Sequence, residues 1–309
     1  MDRSVQYSFS FSGRLAEEGI IDFYDIAEAM SGFQRSLALT AHFVVNGKVI
    51  TQAPALKNVV IYAEIPQLGS WKVITFIGIL GTGIWHLGTA PKDTVLGNLI
   101  VSAYDYVLKE SLGINVNFDK TIGQQLEELK SRDINPPRIT EDRLDSVIEK
   151  CEASIVSMHR PIVRSGTAEK GLIRYETSDR KTGGENIDSE TYNYIRTSTK
   201  SDRAQYFYGK ISSYNVNTYH GRIYDFRHER TIPFEIEASA RSINFISLIT
   251  ASLNANALDR KDESSYVILH AFTISSQNDR IKKLIVINIA RPSRNEISSI
   301  LDGKDDETN

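Results

Sequence analysis

The first clear pattern in the chain is an alternation of large apolar and small polar residues from Val5 to Gly13, in the order VQYSFSFSG. A period of two is typical of a strand with one buried face. From Phe23 to Ala41 the apolar residues instead recur every three or four positions, which predicts an amphipathic helix. Asp22 stands directly before this stripe and is its predicted N-cap.

Three further elements are predicted in the first half. The runs 48–52 and 59–65 are rich in β-branched and aromatic residues, so they predict strands, and Pro66 ends the second. Thr140 precedes a second helical stripe that reaches Met158 and ends before Pro161. These elements predict an N-terminal α+β domain over residues 1–163, rich in helix and containing a small antiparallel sheet.

The segment 73–91 carries no Asp, Glu, Lys or Arg. Its length is close to the ~20 apolar residues that cross a bilayer, but four glycines and a histidine dilute it. A second apolar stretch, 95–108, follows and contains Asp105. We therefore expect a buried helical hairpin over 73–108, which would also serve as a surface for homo-oligomerisation. Membrane insertion of 73–91, as in a membrane-acting effector, stays open as an alternative.

Apolar residues become sparse between Arg164 and Glu190, where four glycines stand among charged and hydroxyl residues. Such composition is typical of a linker or a long loop. The predicted division is thus a linker over 164–189, followed by a second domain over 190–292 and an acidic tail over 293–309.

The second domain changes to short alternating runs. Residues 207–214, 221–224 and 231–236 predict a meander of three strands, residues 243–258 a helix, and residues 266–274 and 281–289 a final hairpin. Five short strands with one inserted helix favour a small β-barrel, of the oligonucleotide-binding (OB) or SH3-like type. The predicted fold class of the whole chain is α+β.

Composition adds limits to this picture. The chain has 309 residues, 36 basic against 39 acidic, and a formal net charge of −3. The last eight residues carry that same −3, so the body is neutral, which argues against a broad electrostatic grip on duplex nucleic acid. One Cys allows no disulfide within the chain, and the first residues lack the apolar core of a signal peptide, so we expect a cytoplasmic protein.

No set of residues for catalysis is visible in the sequence. The six histidines are scattered singly, and phosphate-binding glycine loops and the G-x-S-x-G nucleophile motif are absent. Cys151 and His159 stand on one predicted helix, eight residues or about 12 Å apart, which is too far for a nucleophile and its base. We therefore predict a binding or assembly protein without catalytic residues, metal or cofactor.

The meander holds the candidate binding surface. Alternation directs Phe207, Ile211, Ile223, Ile232, Phe234 and Ile236 to the barrel interior. The opposite face then carries tyrosines among cations, and the predicted site residues are Tyr208, Lys210, Tyr214, Arg222, Tyr224 and Arg227. Aromatic rings between cations suit unpaired bases and their phosphates, so single-stranded nucleic acid is the predicted partner. The same residue types anchor protein interfaces, and a protein partner stays open.

Residues 209–234 resemble the opening three strands of cold-shock and related oligonucleotide-binding barrels. The resemblance rests on GKISSYN (209–215), GRIY (221–224) and TIPF (231–234). His220 and Arg222 flank Gly221 where that family has aromatic residues. The resemblance implies an OB-like barrel that binds oligonucleotides.

Most of residues 5–290 also resembles an uncharacterised two-part family of bacterial proteins. The resembling stretches are Phe23–Ile26, Gly32–Leu37, Ala53–Pro54, Pro66–Trp71 and Tyr214–Phe234. Members of that family look like accessory genes of bacteria, so the resemblance implies a role in phage defence or in conflict between mobile elements.

Overall fold

The computed structural model describes residues 5–50, 56–64, 71–79, 92–114, 116–131, 139–177, 182–259, 262–275, 281–293 and 296. The chain divides into two compact units between Arg196 and Thr197. Each unit combines helices with strands around its own hydrophobic core, as the predicted α+β class requires.

The first unit contains six helices and five strands among the described residues. In chain order these are β1 Val5–Ser12, α1 Phe23–Asn46, β2 Val59–Ala63, β3 Lys72–Ile79, α2 Lys92–Leu112, α3 Gln124–Ser131, α4 Glu141–Met158, α5 Arg160–Val163, β4 Lys170–Thr177, β5 Thr182–Ile187 and α6 Ser189–Arg196. A short 3-10 turn, Arg14–Glu18, links β1 to α1, and a π-helical turn, Asp119–Gly123, precedes α3.

The five strands form one antiparallel sheet in the order β2-β3-β1-β4-β5. The N-terminal strand β1 lies at its centre, and the alternate residues Val5, Tyr7, Phe9 and Phe11 are buried, which confirms the period of two. The long helix α1 is confirmed as well: Asp22 Oδ1 accepts a hydrogen bond from Asp25 N at 2.9 Å.

The expected helical hairpin over 73–108 is wrong in its first arm. Residues 72–79 form β3, which pairs with both β1 and β2, whereas the second arm is helical as α2. A run of three buried residues, Thr75 to Ile77, shows why: a strand covered on both faces has no alternation. Residues 80–91 of the candidate membrane segment lie outside the described residues. None of the helices in the described ranges is long and apolar enough to cross a membrane.

The predicted strand 48–52 is also wrong over its described residues 48–50, which are irregular; residues 51 and 52 are not described. The linker predicted over 164–189 is wrong as well. This segment contains β4 and β5, and α6 begins at its last residue, Ser189. β4 pairs with β1 from Lys170 to Thr177, so the segment belongs to the first unit.

Two glycines of this segment, Gly171 and Gly183, serve close packing rather than flexibility. A Cβ on Gly171 would lie 2.7 Å from Ile187 Cγ1, and one on Gly183 would overlap the Tyr175 hydroxyl. Each glycine therefore marks a place where a side chain from the adjacent strand crosses the backbone.

The second unit is a closed five-stranded barrel. Its elements are β6 Thr199–Lys200, β7 Gln205–Asn215, β8 His220–Asp225, β9 Arg230–Ile236, α7 Ile243–Leu258, β10 Tyr266–Ser275 and β11 Ile281–Ala290. The ring of strands runs β7-β8-β9-β11-β10 and closes from β10 to β7, while the two-residue β6 extends the edge of β10. β9 and β11 are parallel, and the other pairs are antiparallel.

The strand predictions for this unit are confirmed. The six residues directed to the interior are all buried, with exposed fractions of 3% or less, and β10 and β11 form the predicted final hairpin. α7 follows β9 in the chain and packs on β7, with Phe245 and Ile249 buried.

Candidate nucleic-acid interface

The outer side of β7, β8 and β10 carries a cluster of rings, which we call the aromatic face. Its members lie on the outward positions of these strands or at the end of β8: Tyr206, Tyr208, Lys210, Tyr224, Phe226, Tyr266 and His270. The register brings them together, because Tyr206 lies opposite His270, and Lys210 lies opposite both Tyr224 and Tyr266.

Ring contacts order this face. Tyr206 is 63% exposed and stacks on His270, with ring centroids 4.5 Å apart and planes 18° apart. Phe226 makes edge contacts with Tyr266 at 4.8 Å and with Tyr224 at 6.1 Å. One stacked pair and one group of three rings thus lie on a hydrogen-bonded sheet, where their positions are fixed before any ligand arrives.

The hydroxyls of Tyr224 and Tyr266 remain neutral. Burial, helped by the carboxylates of Glu229 and Asp225, raises the pKa of Tyr224. Burial and Glu263 do the same to the pKa of Tyr266. Both side chains therefore offer a flat ring and a hydrogen-bonding hydroxyl without a negative charge that would repel phosphate.

The structure brings four of the six predicted site residues to this region. Tyr208, Lys210 and Tyr224 lie on the aromatic face, and Arg227 is exposed in the turn that follows β8. The turn is held next to β7, since Phe226 N donates to Tyr208 O at 2.9 Å.

Tyr214 lies apart from these residues, at the other end of β7. It is half-buried against the barrel core. Burial raises the pKa of Tyr214, Tyr219 adds to this rise, and the charge of Arg241 opposes it. Arg241 also stacks over Tyr219, with its guanidinium carbon 4.2 Å from the ring centre.

The predicted exposure of Arg222 is wrong, because its side chain is only 1% exposed. Alternation does place it on the same side of β8 as Tyr224. However, the bulge in β7 between Ile211 and Ser213 lies opposite Arg222, whose register partner is Ser213, and Ser212 Oγ donates to the carbonyl oxygen of Arg222 at 3.3 Å. A phosphate contact from this arginine is therefore not available at the surface.

Sequence reasoning missed four members of the face: Tyr206, Phe226, Tyr266 and His270. Two of them carried a readable signal, since Tyr266 and His270 alternate with the buried Val267 and Leu269 in the predicted hairpin. Their proximity to Lys210 could not be predicted from the sequence. It arises because β10 pairs with β7 as well as with β11.

The remaining chemistry of the chain lies in buried positions. Cys151 is fully buried, and burial raises the pKa of its thiol to about 12, so it is a poor nucleophile. Within the described ranges no three His, Cys, Asp or Glu side chains come together as a metal-binding group.

Comparison with known families divides the chain at the same place as the structure. Residues 7–196 match a domain of unknown function (DUF7946), and residues 203–290 match a family of unknown function (DUF7947). The first match ends at Arg196, the last residue of the first unit. No curated protein and no solved structure matches the chain.

Proposed function

Since the chain belongs to the DUF7946 family, whose function is unknown, we propose a function from the geometry of its barrel: the second unit is an OB-type barrel that binds single-stranded nucleic acid on the aromatic face. Numbered along the chain, the five barrel strands close in the order 1-2-3-5-4, and strands 3 and 5 are parallel. A helix connects strands 3 and 4. This order supports the OB type over the SH3-like type, and OB barrels are a common scaffold for oligonucleotides.

The observation that carries the proposed ligand is the stacked pair of Tyr206 and His270. Its outer ring is largely exposed and already lies flat on a second ring, so a base can extend the stack without reordering the side chains. Stacking of one base on an aromatic side chain contributes about 1–3 kcal/mol and depends little on sequence.

Within the described part of the barrel, few cations lie near this face. Lys210 and Arg227 are the residues we assign to phosphate contact, and Lys200, whose ammonium lies 4.4 Å from the Phe272 ring centre, extends the basic edge along β10. Two or three phosphate contacts give only a shallow dependence of affinity on salt. We therefore propose a moderate binder that relies on stacking and tolerates many sequences.

Fluorescence anisotropy with labelled oligothymidine and oligouridine tests this proposal. The Tyr206→Ala variant should bind roughly ten-fold more weakly than the wild type, which corresponds to the loss of one stacked base. Tyr62→Ala is the matched control, because Tyr62 is an exposed tyrosine, 47% accessible, on a strand of the first unit.

Two results would contradict the proposal. One is a wild-type protein that fails to bind either oligomer at low ionic strength. The other is an equal loss of affinity in the Tyr206→Ala and Tyr62→Ala variants. Either result would leave the aromatic face as a surface for a protein partner.

A further inference from the structure

An exposed apolar surface lies on the first unit, where the turn after β1 enters α1. Four large side chains within ten residues of sequence are exposed there: Leu15 by 45%, Ile20 by 54%, Phe23 by 82% and Tyr24 by 63%. We call these four residues the apolar corner. A single exposed apolar residue is ordinary, but a group of this size on one turn is typical of an interface.

The backbone beneath the apolar corner is held by one bond to a distant part of the chain and by one local bond. Ala16 N donates to Thr167 O at 2.9 Å, and Gly13 N donates to Glu17 Oε1 at 2.9 Å. Ala16 itself is buried in the core. The corner is therefore part of a rigid scaffold rather than a frayed loop, and little ordering is needed on binding.

One ring of the corner is oriented by a buried ion pair. Asp25 is 4% exposed and accepts bonds from Arg160 Nε at 2.9 Å and from Ser165 N at 2.9 Å. The same guanidinium covers the ring of Tyr24, with 4.9 Å between its carbon and the ring centre. Tyr24 is thus held in place by Arg160, and tyrosine and arginine are the residues that most often anchor interfaces.

The rim of the apolar corner carries both signs of charge. Glu17, Glu18 and Asp22 are exposed beside it, and so are Arg14 and Arg164. Arg14 is fixed by a bond from its Nη1 to Gly166 O at 3.1 Å, and Glu17 by the bond that its Oε1 accepts from Gly13 N. A rim that carries both signs can pair with a second copy of itself, because acidic residues of one copy can face basic residues of the other. A partner that carries a single sign of charge would instead be matched by a rim of the opposite sign.

We propose that the apolar corner is the contact of a homodimer with two-fold symmetry, in which Phe23 and Tyr24 of each copy pack against the corner of the other. If a whole large side chain has about 150–250 Å² of surface, as the aromatic ones do, the exposed fractions of the four, from 45% to 82%, supply on the order of 400 Å² of area per copy. That is about half of the ~800 Å² that each partner contributes to a standard interface, and the charged rim supplies the remainder. The dimer does not depend on the nucleic-acid proposal, because it uses the first unit alone.

Sedimentation velocity of the full chain through the micromolar range tests the dimer. The wild type should sediment as a dimer, and Phe23→Asp should sediment as a monomer. Phe23 is the first residue of α1, where an acidic residue favours the helix dipole, so this variant keeps the fold while placing charge in the contact. Tyr62→Asp, an exposed tyrosine elsewhere on the same unit, is the control and should remain dimeric.

Hydrogen exchange gives a second readout. Amides of residues 13–24 should become slower to exchange in the wild type as its concentration rises, and should not in Phe23→Asp. A wild type that stays monomeric throughout, or a dimer that Phe23→Asp leaves intact, would overturn the proposal.

Discussion

The imidazole of His159 lies between two fixed partners, and Thr191 is the one that reaches it from α6: Thr191 Oγ1 is 3.0 Å from His159 Nε2. On the other side, Nδ1 lies 2.8 Å from the carbonyl oxygen of Ile155. A carbonyl can only accept, so Nδ1 carries the proton and Nε2 is the acceptor. This pair of bonds ties α4 to α6 through a neutral histidine.

Folding stability should therefore fall as the pH is lowered below about 6.5, the pKa of an unfolded histidine. Burial lowers the pKa of His159 to about 4 in the folded chain. Between these two pKa values the unfolded state binds a proton that the folded state does not. The free energy of unfolding therefore falls by about 1.4 kcal/mol per pH unit, or on the order of 2 kcal/mol by pH 5. Urea unfolding between pH 7.5 and pH 5 measures this loss.

The matched variant for this prediction is His159→Gln, which cannot take up a proton. It should be less stable than the wild type at pH 7.5, with a shallower dependence on pH between 7.5 and 5. Equal slopes in the two proteins would show that His159 ionises as freely in the folded chain as in the unfolded one.

Gly32→Ala should destabilise the first unit, although alanine normally favours a helix interior over glycine by about 0.5–1 kcal/mol. The reason is that α1 and α4 approach closely here: a Cβ on Gly32 would overlap the carbonyl oxygen of Ser154. Fitting the extra methyl group between two closely packed helices costs about 1–3 kcal/mol of folding free energy. Thermal unfolding of this variant and of Ser31→Ala, an exposed neighbour on α1, decides the sign. A Gly32→Ala protein as stable as Ser31→Ala would contradict the close approach.

The single thiol should report unfolding of the first unit. Cys151 is fully buried on α4 and its raised pKa leaves almost no thiolate at neutral pH, so a water-soluble disulfide reagent should not modify the folded chain. In denaturant the thiol should react at once. An engineered Ser31→Cys thiol, on the exposed side of α1, is the positive control and should react in both conditions. Rapid modification of wild-type Cys151 without denaturant would contradict its burial.

Sequence patterns predicted those elements in which one face is buried and the other is not. β1 shows this, because Tyr7 and Phe9 are buried while Gln6 and Ser8 between them are only partly covered. The helix 243–258 is the same case, and its predicted bounds coincide with α7. Where both faces are covered, as at Thr75 to Ile77 in β3, the pattern has no period and the strand resembles a helix in sequence.

Long-range pairing decided the features that sequence could not predict. Gly171 and Gly183 stand in a segment that has the composition of a linker. Only the closeness of Ile187 and Tyr175 to these two glycines shows that they serve packing. On the aromatic face, the outward positions of Tyr208, Lys210 and Tyr224 followed from alternation. The burial of Arg222 did not, because alternation places it outward beside Tyr224 and does not show the bulge in β7 that lies opposite Arg222.

The central position of β1 in the first sheet has a consequence for synthesis of the chain. β1 is translated before both of its neighbours, β3 and β4, and β4 begins only at Lys170. The nascent first unit must therefore carry an apolar strand with an unpaired edge until nearly all of it has been translated. In the barrel, β7 pairs with β8 and β8 with β9, each the next strand in the chain, whereas the pairs β7–β10 and β9–β11 span α7. Because contacts between distant residues slow folding, the later-made barrel has the simpler path, and the first unit is the part whose folding a chaperone would assist.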